Sequence, residues 1–129
     1  MLNKHRKAAV ELNEIKNSAL ELMNGSVSEK QVAEFILKKY RQLGLRPSGK
    51  PKVIVASGKG TADIHHFPKN VKINGPVMLD MWAKHKNGWF ADLTWMAFKG
   101  KPSKEFRKSF ASLARARNKA LNFLNSCLK

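Results

Sequence analysis

A hairpin in the second half of the chain constrains the fold more than any other feature. Val77–Lys84 and Gly88–Phe98 are rich in aromatic and β-branched residues, and Asn87-Gly88 lies between them. That pattern predicts two antiparallel strands joined by a tight turn. Pairing Asp80 directly with Asp92 sets Trp82 opposite Phe90 and Lys84 opposite Gly88. His85-Lys86-Asn87 is then a three-residue loop, and Gly88 takes the left-handed position of a bulge. Directly opposed residues share a face, with Cβ atoms about 4.5–5.5 Å apart. Their neighbours on this face are Met78, Trp82, Phe90, Thr94 and Met96, which are mostly apolar.

Two carboxylates in that setting repel and lose hydration. A shared proton, a basic side chain or a divalent cation would compensate. Alternatively, one aspartate caps a turn while the other faces solvent, although aspartate is disfavoured inside strands. Two carboxylates alone are too few for a catalytic two-metal centre. His65 and His66 precede Phe67-Pro68. In extended chain adjacent side chains point to opposite faces, so only one of the two can address a given site. The tryptophans Trp82, Trp89 and Trp95 fit packing, or a stacking platform for nucleic acid. Ser57-Gly-Lys-Gly-Thr61 is glycine-rich but lacks the GxxxxGK[ST] pattern of a phosphate loop.

Around the hairpin the chain reads as helical. Apolar residues recur at helical spacing over residues 3–24, which Asn24-Gly25 closes. A second helix opens at Ser28, whose spacing to Gln31 makes a capping box, and ends at Gly44. Lys52–Ala56 reads as a strand. Ser103 is an N-cap for a third helix over 104–126, with Phe106, Phe110, Leu113, Leu121 and Leu124 on one side. The expected architecture is a single α+β domain over 1–129. It comprises two N-terminal helices, a mostly antiparallel sheet with a central hairpin, and a long C-terminal helix.

Composition narrows the chemistry. The 129 residues hold 25 Lys+Arg against 9 Asp+Glu, a net charge of +16, and one cysteine, Cys127. A disulfide framework and a cysteine-based zinc finger are excluded within the chain. There is no run of apolar residues long enough to span a membrane, and the basic N-terminus lacks a signal-like apolar stretch. A cytoplasmic protein is the expectation. The basic surplus peaks after residue 98, where Glu105 is the one acidic residue. Such a face suits a polyanion such as RNA or the ribosome, an acidic protein, or water.

In order, Val55-Ala-Ser-Gly58, Ile64-His-His-Phe-Pro68, Val77-Met-Leu-Asp-Met81 and Gly88-Trp-Phe-Ala-Asp-Leu-Thr94 make a specific set. Together they resemble the N-terminal half of the pita-bread metallopeptidase domain, the family of methionine aminopeptidase, aminopeptidase P and prolidase. The likeness extends from about residue 5 to residue 121 and is stronger toward the Xaa-Pro peptidases. It implies that Asp80 and Asp92 are the first two metal-bridging carboxylates. His65 matches the histidine that assists the substrate amide. The implied cofactor is a divalent metal (Mn, Co or Zn). Two departures stand out: the hairpin is one residue longer than the family spacing, and Trp82 replaces a customary glycine.

The resemblance also implies three further ligands, one His and two Glu, from the second half of that domain. This sequence has no histidine after His85 and no acidic residue after Glu105. The expectation is therefore a half-domain of an aminopeptidase acting at peptide N-termini, inactive alone. It would be completed by a complementary C-terminal half or by a second copy in a homodimer. The alternative is a non-catalytic basic binding module on the same fold.

Overall fold

The structure is a computed structural model that describes residues 2–86 and 88–128. Helices α1 (Leu2–Leu22) and α2 (Glu29–Gln42) come first. Strands β1 (Leu45–Arg46) and β2 (Ile54–Ser57), a 3-10 turn (Gly58–Ala62) and strands β3 (Gly75–His85) and β4 (Phe90–Lys99) follow, and α3 (Lys104–Cys127) ends the chain. The α+β architecture expected from the sequence is the one observed.

Local chemistry accounts for the helix starts. Ser28 Oγ accepts the Gln31 N–H at 3.2 Å, and Gln31 Oε1 accepts the Ser28 N–H at 2.8 Å, the reciprocal capping box. Gly44, at φ 69°, turns the chain out of α2. Ser103 Oγ accepts the Phe106 N–H at 3.1 Å to open α3. The first helix ends at Leu22, two residues early, and closes through Asn24 N–H to Glu21 O and Gly25 N–H to Leu22 O.

The sheet is fully antiparallel, and β3 is its spine. β4 runs along one side of β3, from Gly75↔Lys99 to Lys84↔Phe90. The other side holds β2 over Val77–Asp80 and β1 over Lys84–His85. β1 was not expected, because a two-residue strand carries no periodicity and its partner lies some 40 positions away. Odd-numbered residues of β3 face α1 and α2. Leu79, Met81 and Ala83 join Leu12, Ile15, Val32, Ile36, Tyr40 and Val55 in the main core. Even-numbered residues face the other way, where Ile54, Ala56 and Met78 form a small cluster with Trp82 and Met96 against it.

The hairpin register differs from expectation. Asp80 pairs with Thr94, and Trp82 pairs with Asp92. The turn closes through His85 N–H to Trp89 O and Gly88 N–H to His85 O, with Gly88 at φ 83°. Gly88 does adopt the left-handed conformation, but as a loop residue ahead of β4 and not as the first strand residue. Counting it into the strand moved the partner strand by two. Asn87, expected in the loop, lies outside the described residues. A shift of two preserves the face, so Asp80 and Asp92 stay on the same side of the sheet.

α3 carries its apolar stripe on one side as expected, and none of its residues is buried. Phe106 meets Phe98 edge-on at 4.9 Å, and beyond it Leu113 is 71% exposed.

Candidate metal-binding and peptidase site

Both candidate ligands sit on the face of the hairpin that looks away from α1 and α2. Asp80 is partly buried, and its Oδ1 accepts a hydrogen bond from Thr94 Oγ1 at 2.7 Å. Asp92, one pair further along β4, is exposed. In this register the two are diagonal neighbours, about 7–8 Å apart by sheet geometry. The direct opposition expected from the sequence is thus replaced by a diagonal relation.

Electrostatics still couples them. The Asp92 carboxyl is pushed up from its ordinary value, first by burial and then by the charge of Asp80, against a lowering hydrogen bond from the Leu93 N–H. Ile54, Met78, Trp82 and Met96 form an apolar cluster on the same face. Trp82, opposite Asp92 and two residues along β3 from Asp80, is tied down by its Nε1–H, which donates to Ser48 O at 2.5 Å. On the far side of the sheet the Tyr40 hydroxyl is pushed well up by burial and then by the charges of Asp80 and Asp92. That hydroxyl is buried and has no hydrogen-bond partner among the described residues.

His65 is exposed on the loop after the 3-10 turn. Its backbone N–H donates to Asp63 Oδ1 at 2.9 Å, and no hydrogen bond links its imidazole to Asp80 or Asp92 among the described residues. Its neighbour His66 points inward and is buried against Glu29 at 2.8 Å. Sequence reasoning allowed one of the two histidines a site role, and the alternation of the chain turns His65 outward. Glu29 was missed altogether. At the start of α2 it reads as an ordinary favourable charge for the helix dipole.

Two of the tryptophans have ring partners within the chain. Lys16 Nζ sits 4.0 Å from the Trp95 ring centroid, and His5 meets Trp89 edge-on at 4.6 Å. The glycine-rich segment winds into the 3-10 turn, with Thr61 Oγ1 donating to Gly58 O. Among the described residues no group of three or more His, Cys, Asp or Glu comes together to hold a metal. A cleft of about 280 Å³ opens between β4 and α3 beside Thr94, lined by Met96, Phe110, Leu113 and Arg117.

The family model of metallopeptidase family M24 matches residues 3–126. The chain belongs to metallopeptidase family M24. Solved structures of similar fold include the X-Pro aminopeptidase of Thermotoga maritima, with TM-score 0.80, 23% identity and 94% of this chain covered. Another is the prolidase of Thermococcus sibiricus, with TM-score 0.77, 28% identity and 92% covered. A third is the prolidase of Pyrococcus horikoshii, with TM-score 0.82, 22% identity and 92% covered. A search of curated proteins found no match. The chain spans about a third of each of those structures, from 33% to 34% of their length. No helix of the described residues is long and apolar enough to cross a membrane.

Proposed function

We propose that this M24 chain supplies one half of a divalent-metal aminopeptidase site of Xaa-Pro type, acting on peptide N-termini. One observation carries the reading. Two carboxylates share one face of the hairpin, beside an apolar cluster, and the charge of one raises the proton affinity of the other. Such a pair gains from a cation, and oxygen donors of this kind suit Mn²⁺, Co²⁺ or Zn²⁺. Asp80 and Asp92 would hold the metal, which when bound supplies Lewis-acid activation of the scissile amide and of water. Thr94 orients Asp80 through its hydroxyl. His65 would donate a proton to the substrate oxygen as charge develops there.

Two carboxylates do not complete a dinuclear centre, so the remaining ligands come from a complementary half. That half is a further segment or a second chain. A second copy of this chain would bring +16 against +16, which disfavours the homodimer relative to a less basic complement. A cytoplasmic setting fits the single cysteine. The rival use of the fold, as a basic module binding RNA, ribosome or an acidic protein, rests on the same +16.

Calorimetric titration with Mn²⁺, with light scattering after size exclusion, tests the reading. Weak Mn²⁺ binding by the wild-type chain, lost in Asp92→Asn, is the expected result. Equal heats in both proteins would overturn it. Affinity for polyanions that falls steeply with salt and ignores Asp92→Asn would support the rival use.

A further inference from the structure

Residues 58–68 leave the sheet after β2 and return to the start of α2. Both ends of this excursion land on one side chain. Glu29 Oε1 accepts the Ser57 N–H at 2.7 Å and the Ser57 hydroxyl at 2.8 Å. Glu29 Oε2 accepts His66 Nε2–H at 2.8 Å and the Lys69 N–H at 3.0 Å. The backbone tightens the same seam, with Glu29 N–H donating to Val71 O at 3.1 Å and Lys30 N–H to Lys69 O at 3.0 Å.

This carboxylate is 1% exposed and His66 is 4% exposed. Burial alone would raise the Glu29 carboxyl, yet the donors from His66, Lys69 and Ser57 outweigh it and hold it below its ordinary range. An ionised carboxylate only accepts, so the proton in the contact belongs to Nε2 of His66. The ring is seated closely: a Cβ at Gly60 would come within 2.9 Å of its Cε1.

Because His66 is pinned inward, its neighbours face out. Ile64 is 72% exposed, Phe67 is 60% exposed, and His65 lies exposed between them. Loops that are closed at their base and displayed at the surface are frequent carriers of function. We propose that Glu29 and His66 are positioning residues: their buried clasp closes loop 58–68 at both ends and presets the imidazole of His65. This rests on the reading of His65 as the group that assists the substrate amide. The clasp acts through loop geometry and does not itself touch substrate.

The chain has four histidines, His5, His65, His66 and His85, so their ring signals can be followed one by one by ¹H–¹⁵N NMR. Three variants of the full chain are compared with wild type. Glu29→Gln keeps the size but replaces two accepting lone-pair sites with N–H donors. His66→Gln keeps an N–H for Oε2, and His66→Leu does not. In Glu29→Gln the Ser57 and Lys69 amides are expected to exchange about tenfold faster or more. The His65 ring signal shifts or broadens, while those of His5 and His85 stay in place. His66→Gln holds the His65 signal near its wild-type position, and His66→Leu moves it.

The proposal is overturned if the His65 signal is unmoved in Glu29→Gln, or if it moves together with those of His5 and His85. Should Glu29→Gln fail to fold, the two His66 variants decide, and identical His65 signals in both reject the clasp. Failure of Mn²⁺ binding at Asp80 and Asp92 would remove the peptidase reading without moving any of these signals. The two ideas therefore fail separately.

Discussion

The two faces of the sheet treat their carboxylates in opposite ways. Behind the helices, Glu29 is almost fully enclosed and accepts four hydrogen bonds, and its proton affinity falls. On the outward face, Asp92 is exposed beside an apolar cluster and Asp80, and its proton affinity rises. Burial disfavours the charge of both carboxylates; aimed donors outweigh it at Glu29 and do not at Asp92. The same contrast holds for apolar groups. The helix-side core buries Leu12, Ile36 and Leu79 completely, whereas α3 leaves Leu113, Leu121 and Leu124 largely in water. One face is finished by this chain. The other carries Asp80, Asp92 and an apolar surface that the described residues leave partly uncovered.

The largest effect should separate the two faces by stability alone. Leu12→Ala removes a side chain with no exposure from the main core and should cost about 2–5 kcal/mol in chemical denaturation. Leu121→Ala in α3, half exposed, should stay within about 0.5 kcal/mol. Equal costs would mean that the α3 stripe is covered in solution, and the contrast would break.

Glu29→Gln comes next, with an expected loss of about 2–3 kcal/mol near neutral pH, since buried donors lose an ionised acceptor. The sign with pH follows from the depressed pKa. The stabilisation is complete above the ordinary value of 4.5 and disappears as pH falls through the lower folded-state value. Acid unfolding of wild type should be steeper in that range than that of Glu29→Gln. Superimposable acid limbs would show that Glu29 is not held ionised.

The helix caps sharpen the comparison further, because their geometry is nearly the same. Ser28 and Ser103 accept the N–H three residues on at 3.2 and 3.1 Å. Ser28→Ala should cost about 1 kcal/mol of global stability, since α2 is part of the core. Ser103→Ala should lower helicity by circular dichroism and speed amide exchange in α3, with little change in the unfolding midpoint. A matching loss of global stability would mean that α3 and the body unfold as one unit.

Short-range rules made much of this legible in the sequence. The Ser28–Gln31 box, Gly44 and Ser103 each act within one helical turn, and all three operate as read. Parity along a strand is equally local, so the shared face of Asp80 and Asp92 survived a register error of two. What stayed hidden is non-local. The Glu29–His66 contact spans 37 positions, and nothing in either residue's neighbourhood announces the other. β1 is recognisable only from its partner in β3. For α3, the periodicity correctly marks an apolar stripe, but amphipathicity says which side seeks cover and not whether this chain provides it. The family resemblance, by contrast, was legible because it rests on an ordered set of short motifs, and the family match over 3–126 bears it out.

The smallest expected effect bears most directly on function. Asp92→Asn removes one of two like charges on the outward face. Because Asp92 is exposed, solvent screens the repulsion, and the gain at neutral pH should be about a few tenths of a kcal/mol. Its direction is opposite to that of Glu29→Gln. A raised folded-state pKa means the native state holds its proton more tightly than the unfolded chain does. The destabilisation is therefore present above that pKa and vanishes as pH falls through it. Wild type and Asp92→Asn should converge in stability in mild acid and diverge toward neutral pH, with the variant slightly the more stable. Mn²⁺ should reverse the order, because a cation between Asp80 and Asp92 stabilises only the chain that keeps both carboxylates. A small stability cost in the apo chain, converted into a gain by metal, is the signature of carboxylates kept for binding. If the order stays the same with Mn²⁺ present, the pair is not a cation site in this chain, and the contrast between the faces reduces to packing.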